Sequence, residues 1–157
     1  MPLIQACIER GQLYEDTRRN CVFVGFDCGG TPRYAALRGT YGDFRGEAAG
    51  SDKRFGFLLP PVNPKSSVVA VFEGAIDALA HATLRPEFNG CRLSLGGVSL
   101  AALVQFLALH SEVGYAEVCT DNYEAGDACA EQIAAMKKRI RTMRVKPPRG
   151  KDWADCL

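Results

Sequence analysis

Four carboxylates in this chain stand where a fold can gather them. Glu73 closes the apolar run Ser67–Phe72, Asp77 comes four residues later, Asp121 closes a second apolar run, and Asp152 follows Lys151 near the end. A spacing of four on a helix keeps Asp77 on the same face as the helix start beside Glu73. Carboxylates crowded at one crevice repel and are costly to hold unless something neutralises them. A divalent cation is the usual partner, and ligands that are all oxygen suit Mg²⁺ or Mn²⁺ rather than zinc. An ion held by one or two carboxylates keeps positions for water and for phosphate oxygens, which is the arrangement that supports phosphoryl transfer.

The elements that must position these acids read as alternating strand and helix. SVVAVFEG is a continuous apolar run, as in a strand buried on both faces of a parallel sheet, and AIDALAHATL has helical spacing. CRLSLGG is a second strand, SLAALVQFLALH a second helix with Ser99 as its expected N-cap, and YAEVCTDN a third strand. EAGDACAEQIAAMKKRI is a third helix ending in basic residues, as the helix dipole prefers, and TMRVKPP a short fourth strand. This alternation predicts an α/β fold with a mostly parallel four-stranded sheet flanked by helices and joined by right-handed crossovers. In such a sheet the crevice lies beyond the carboxyl ends of the strands. Glu73, Gly96-Gly97, Asp121 and Lys151-Asp152 all fall there, and the glycines allow a phosphate backbone to come close.

The first part of the chain has a different pattern. Leu3, Ile4, Cys7 and Ile8 mark one face of a short helix that Gly11 ends. CVFVGFD and RYAALRG read as antiparallel strands joined through Cys28–Pro32. Gly39–Gly50 reads as a surface loop and RFGFLLP as another short strand. The proline cluster Pro60–Pro64 divides the chain into a small α+β segment, residues 1–64, and the alternating part, residues 65–157.

The net charge is only +1, so a basic footprint for nucleic acid must be local. Arg38, Lys53 and Arg54 lie beside glycine-rich loops, and Lys151 beside the last acid, where each can steer a phosphate backbone; ordinary solvated loop charge is the competing reading. The run Lys137, Lys138, Arg139, Arg141 and Arg144 reads first as charge that complements a helix end and second as a nucleic-acid contact. Seven cysteines without a C-x-x-C pair, and two histidines far from any cysteine cluster in sequence, give zinc no support. The cysteines read mostly as small core residues. With no apolar stretch of spanning length, a reducing, cytoplasmic setting and no membrane partner are expected. His81 follows an apolar helix face and reads as structural; Trp153 reads as a core plug, with base stacking as the alternative.

At this point the residues resemble a known family. Phe72-Glu73-Gly74-Ala75-Ile76-Asp77 resembles the E-G-x-x-D motif of Toprim domains, Leu93-Ser94-Leu95-Gly96-Gly97 their second-strand turn, Asp121-Asn122-Tyr123-Glu124-Ala125-Gly126 their D-x-D-x-A-G motif, and Gly150-Lys151-Asp152 the G-K-D element of bacterial primases. The segment from Leu13-Tyr14-Glu15-Asp16 through Leu37-Arg38-Gly39-Thr40 to Gly50-Ser51-Asp52-Lys53 is similar to the one that precedes the Toprim core in primase-like proteins of bacterial mobile elements. Such proteins usually extend further toward the N-terminus, so this chain is expected to be a piece of a longer one. The resemblance implies that Glu73 is the acid/base residue and that Asp121, with Asp77 and Asp152, holds Mg²⁺ or Mn²⁺. It breaks at Tyr123, which stands in place of the second aspartate of D-x-D and cannot ligate as a carboxylate; Glu124 and Asp127 are the neighbours available to substitute.

Two classes of function follow. The first is Mg-dependent phosphoryl transfer on nucleic acid, primase-like or nuclease-like, serving DNA replication of a mobile element, with DNA expected ahead of RNA. The second is a non-catalytic module with a degenerate metal site that binds nucleic acid or docks onto a helicase or relaxase. A topoisomerase is not expected, because no companion domain with an active-site tyrosine is in view.

Overall fold

The computed structural model describes residues 2–136 and 139–157, and places in them two sheets, four α-helices and a terminal 3-10 turn. Helix α1 (Pro2–Glu9) begins with a proline at its first position, where no amide partner is lost, and ends before Gly11 at φ 67°. Strands β1 (Leu13–Glu15), β2 (Asn20–Phe26), β3 (Pro32–Gly39) and β4 (Arg45–Glu47) follow as an antiparallel sheet in sequence order. Asp27 builds the β2–β3 turn, its Oδ1 accepting the amides of Gly29 at 3.0 Å and Thr31 at 2.9 Å.

The second sheet has the order β5-β7-β6-β8-β9. Strands β6 (Val68–Phe72), β7 (Cys91–Ser94), β8 (Tyr115–Val118) and β9 (Arg141–Arg144) are the four expected parallel strands. Helices α2 (Ala75–Leu84), α3 (Ala101–Leu109) and α4 (Glu124–Ala134) connect them. Alternation within β6 feeds two cores. Val69 and Val71 pack with Leu103, Phe106, Val118 and Ile133 on one face. Ala70 and Phe72 face Leu79, Phe88 and Trp153, in a cluster that also takes in Phe23 and Phe57 from the N-terminal part.

Several expected features differ. The stretch Gly39–Gly50 is not all loop, since β4 lies inside it and pairs with β3. Strand β1 has only three residues, one of them buried, too few to show a period in sequence. Of RFGFLLP only β5 (Leu58–Leu59) is strand, and it joins the second sheet antiparallel to β7, so that sheet has five strands. Ser99 does not cap α3; Leu100 holds that position, and Ser99 Oγ accepts only the Ala101 amide at 3.4 Å. Of the basic run, Lys137 and Lys138 lie outside the described residues, while Arg141 and Arg144 belong to β9. Among the described residues, no helix is long and apolar enough to cross a membrane.

Candidate active site

Because β6, β7 and β8 run parallel, their carboxyl ends finish side by side, and the residues following them share an edge. Glu73 follows β6 and is tied there through its carbonyl, which accepts the Gly97 amide at 2.9 Å and Ser94 Oγ–H at 3.3 Å. Both side-chain oxygens are engaged: Oε1 accepts the Asp121 amide at 3.0 Å and Oε2 accepts the Tyr123 hydroxyl at 2.9 Å. Asp121, beyond β8, is 9% exposed, and its Oδ1 is buried without a hydrogen-bond partner. Burial first, then the charges of Glu73, Asp77 and Asp152, push its carboxyl up to about 7, against a smaller opposite pull from Lys151.

Asp77 lies in the first turn of α2, where the helix dipole favours an anion. It is 8% exposed, and Oδ1 accepts the Ala154 amide at 3.3 Å. Burial, then the neighbouring Asp152, push its carboxyl up to about 6. Asp152 arrives from the C-terminal segment through a tight local turn: its Oδ1 accepts the Asp155 amide at 2.9 Å, and Asp155 Oδ2 accepts the Lys151 amide at 2.7 Å. Trp153 anchors that turn, 2% exposed, with its ring 4.7 Å from His81 and 6.3 Å from Phe72. It is a core plug, so its ring is not presented for base stacking.

All four acids line one cleft of about 700 Å³, whose opposite wall is the N-terminal sheet with Tyr34, Arg38, Arg45 and Glu47. Arg38 and Lys151 therefore reach the cleft, and Lys151 Nζ sits 4.7 Å from the Tyr123 ring centroid. Lys53 stands at its rim, bonded to Glu47 at 2.8 Å and to the Gly96 carbonyl at 3.3 Å. Arg54 is elsewhere, engaged by Asp52 at 2.7 Å and lining a separate pocket with Phe55, Leu93 and Phe106. Neither acid near Tyr123 replaces a carboxylate: Asp127 is bound by Arg144 at 3.1 Å and Lys146 at 3.2 Å, and Glu124 is exposed at the start of α4. Arg45 and Tyr34 were not singled out from sequence. The only available signal for Arg45 was its place in a glycine-rich loop, which hid the strand.

A second group, His81, Glu117 and Cys119, brings three potential ligand atoms within 4.8 Å of one another. Its surroundings oppose a cation. Arg85 Nη1 donates to Glu117 at 2.9 Å and Arg92 Nε donates to His81 Nδ1 at 3.0 Å. Burial, then the charges of Arg92 and Arg85, hold the imidazole neutral with its pKa down to about 3. This is a buried structural histidine between two guanidinium groups.

The N-terminal part matches a family described as a protein of unknown function (DUF3991), over residues 2–64. No curated protein matches the chain. Among solved structures, the primase fragment of the bacteriophage T7 primase-helicase protein superposes with a TM-score of 0.67 at 17% identity, over 97% of this chain and 64% of that one. A DNA primase domain from Pseudomonas aeruginosa gives 0.62 at 18% identity, over 99% and 54%. The DnaG primase catalytic domain bound to ssDNA gives 0.59 at 19% identity, over 97% and 55%. The chain thus spans 64% and 54% of the first two of these, and likeness at such identities shows a shared fold. The family described as Toprim-like matches residues 70–157, more than half of the sequence, with Glu73, Asp77, Asp121 and Asp152 among them, and the chain belongs to that family.

Proposed function

We propose that this chain carries out metal-dependent phosphoryl transfer on nucleic acid, primase-like or nuclease-like, with DNA as the preferred substrate. The observation that carries this reading is Asp121 Oδ1, a buried carboxylate oxygen without a partner, on a carboxyl that burial and the neighbouring acids push up, as they do that of Asp77. Such a cluster is relieved by a cation, and Toprim domains bind divalent metals. Asp121, Asp77 and Asp152 are the residues that would hold Mg²⁺ or Mn²⁺, which when bound supplies Lewis-acid stabilisation of charge on phosphate oxygens. Glu73, buried and fixed by two donors, is placed to hold or pass a proton at Oε2. Arg38 and Lys151 hold phosphate groups across the cleft, and Lys53 guides the strand at its rim. The T7 protein of this fold is a primase-helicase; a helicase or relaxase partner is the corresponding proposal for this chain.

The test is incubation of the chain with end-labelled DNA oligonucleotides, nucleoside triphosphates and Mn²⁺. Longer products identify synthesis and shorter ones cleavage, and either must vanish in Glu73→Gln. Unchanged oligonucleotides with a folded protein overturn the catalytic reading. They would leave a second one, a non-catalytic binding module, which the Tyr123 hydroxyl on Glu73 favours because it occupies the acid/base group.

A further inference from the structure

We infer that the Tyr123 hydroxyl is an internal nucleophile: it takes the nucleotidyl group of a nucleoside triphosphate and leaves the chain joined to a nucleotide through its own tyrosine. This rests on the phosphoryl-transfer reading above and gives it an acceptor within the chain. Such a transfer needs a hydroxyl whose proton leaves as the new bond forms. Glu73 Oε2 is the oxygen placed to take that proton, and the Tyr123 hydroxyl already donates to it at 2.9 Å. The base is itself oriented, because its Oε1 accepts the Asp121 amide at 3.0 Å. A hydroxyl, a base beside it and a donor that orients the base form the set that activates a nucleophile too weak to attack alone.

Tyr123 is fixed yet open to substrate. Its amide donates to the Asp121 carbonyl at 3.0 Å and its carbonyl accepts the Asp127 amide at 2.9 Å, which holds it as the N-cap of α4. The Lys151 ammonium stands 4.7 Å from its ring centroid. A hydroxyl kept only to satisfy Glu73 has no need of the cleft, whereas Tyr123 lines it and is 38% exposed. Burial, then the Glu73 carboxylate, push the phenol up to about 12, so it keeps its proton until attack and Glu73 receives it. In the step the bond from Tyr123 Oη to the α-phosphorus forms and the bond from that phosphorus to the bridging oxygen of the β-phosphate breaks. Pyrophosphate departs with the electron pair, and the phenol proton passes to Glu73 Oε2. Because pyrophosphate leaves as a stable anion, the step needs one proton acceptor and no donor, which is what the cleft offers the hydroxyl. Arg38 and Arg45 add a place for the outer phosphates. They stand directly opposite each other in the β3–β4 register and line the same cleft, and among the described residues neither is ion-paired with a carboxylate. Like charges so placed are unfavourable until an anion joins them.

The experiment has a metal-free arm and a nucleotide arm. In excess EDTA the chain is treated with 4-(2-aminoethyl)benzenesulfonyl fluoride, which sulfonylates phenols with loss of fluoride, and the adducts are mapped by peptide mass. Tyr41, 78% exposed, is the reference phenol in the same chain. Tyr123 should be labelled at least about tenfold faster than Tyr41, and Glu73→Gln should bring it down to the Tyr41 rate. With Mn²⁺ and ATP labelled at the α-phosphate, the chain should take up label that survives denaturation and maps to Tyr123. Label at the γ-phosphate should leave it unmarked, and Tyr123→Phe, checked by thermal melting, should take up none. The inference is overturned, with phosphoryl transfer left standing, if Tyr123 is sulfonylated no faster than Tyr41, if Tyr123→Phe keeps the α-label, or if the unaltered chain takes up none while it extends or cuts oligonucleotides. No α-label together with unchanged oligonucleotides overturns both.

Discussion

Asp121 and Glu73 sit 48 positions apart in sequence and are joined by one hydrogen bond, from the amide of the first to the carboxylate of the second. That bond divides their labour. Glu73 has both oxygens engaged by donors, whereas Asp121 keeps one buried oxygen with none. Glu73→Gln can keep both contacts by turning its carbonyl to the Asp121 amide, so Mn²⁺ affinity should stay within a few-fold while turnover is lost. Isothermal titration and the oligonucleotide assay together check this. The raised carboxyls of Asp77, about 6, and Asp121, about 7, also fix a sign. The folded chain holds protons there that the unfolded chain has released, so stability from these groups is complete below the ordinary carboxylate range. It is lost as pH rises through 6 to 7. Urea unfolding in EDTA should show falling stability from about pH 5 to about 8, and Mg²⁺ should restore it at the upper end. At this scale the acids were legible because apolar runs point to strand ends. The Tyr123–Glu73 bond was not, because it depends on how the chain turns after β8.

That turn belongs to the scale of elements. The end of β8 is clamped by Arg144 from β9, which donates to the carbonyls of Val118 at 3.1 Å, Thr120 at 2.7 Å and Asp121 at 3.0 Å. From sequence Arg144 read as part of a basic run, and only the pairing of β8 with β9 shows why it faces inward. Gly126, in α4, lets the helix approach this end; a Cβ there would run into the Asp121 carbonyl and lie 2.8 Å from Glu73 Oε1. Gly126→Ala should therefore cost on the order of 2 kcal/mol in chemical denaturation, more than a surface substitution, and weaken metal binding with it. The central parallel strands were readable as short apolar runs between glycine-rich or polar stretches, and the helices by their longer periodic runs. Strands β1 and β4 were not, since three residues carry no period, and β5 was read as strand but not in its pairing, which is decided by a partner elsewhere in the chain.

At the scale of the molecule the two parts share a core. Leu13, Phe23, Phe57 and Leu59 pack in one cluster with Phe72, Leu79 and Trp153, and β5 pairs across to β7. The proline cluster suggests a cut after residue 64, yet a fragment of residues 65–157 would expose the Phe72 face that those side chains cover. Such a fragment should lose the cooperative thermal transition of the whole chain, as followed by near-ultraviolet circular dichroism; a sharp, unchanged transition would contradict the shared core. Burial of Phe57, fully enclosed, makes the same point: Phe57→Ala should cost about 3 to 5 kcal/mol in urea unfolding. The family likeness was legible from four motifs in register. The crevice at the strand ends was legible as well, but its second wall was not, because that wall comes from a sheet whose arrangement against the first is set by this packing.

The central claim is that the carboxylate cleft holds a divalent ion through Asp121, and Mn²⁺ titration of the unaltered chain beside Asp121→Asn, at about pH 8, tests it most directly. The account predicts saturable binding in the unaltered chain, lost in Asp121→Asn while the metal-free variant melts at the same or a higher temperature, because a charge repelled by Glu73, Asp77 and Asp152 has been removed. Equal Mn²⁺ binding by the two proteins, or none by the unaltered chain at millimolar metal, would contradict it.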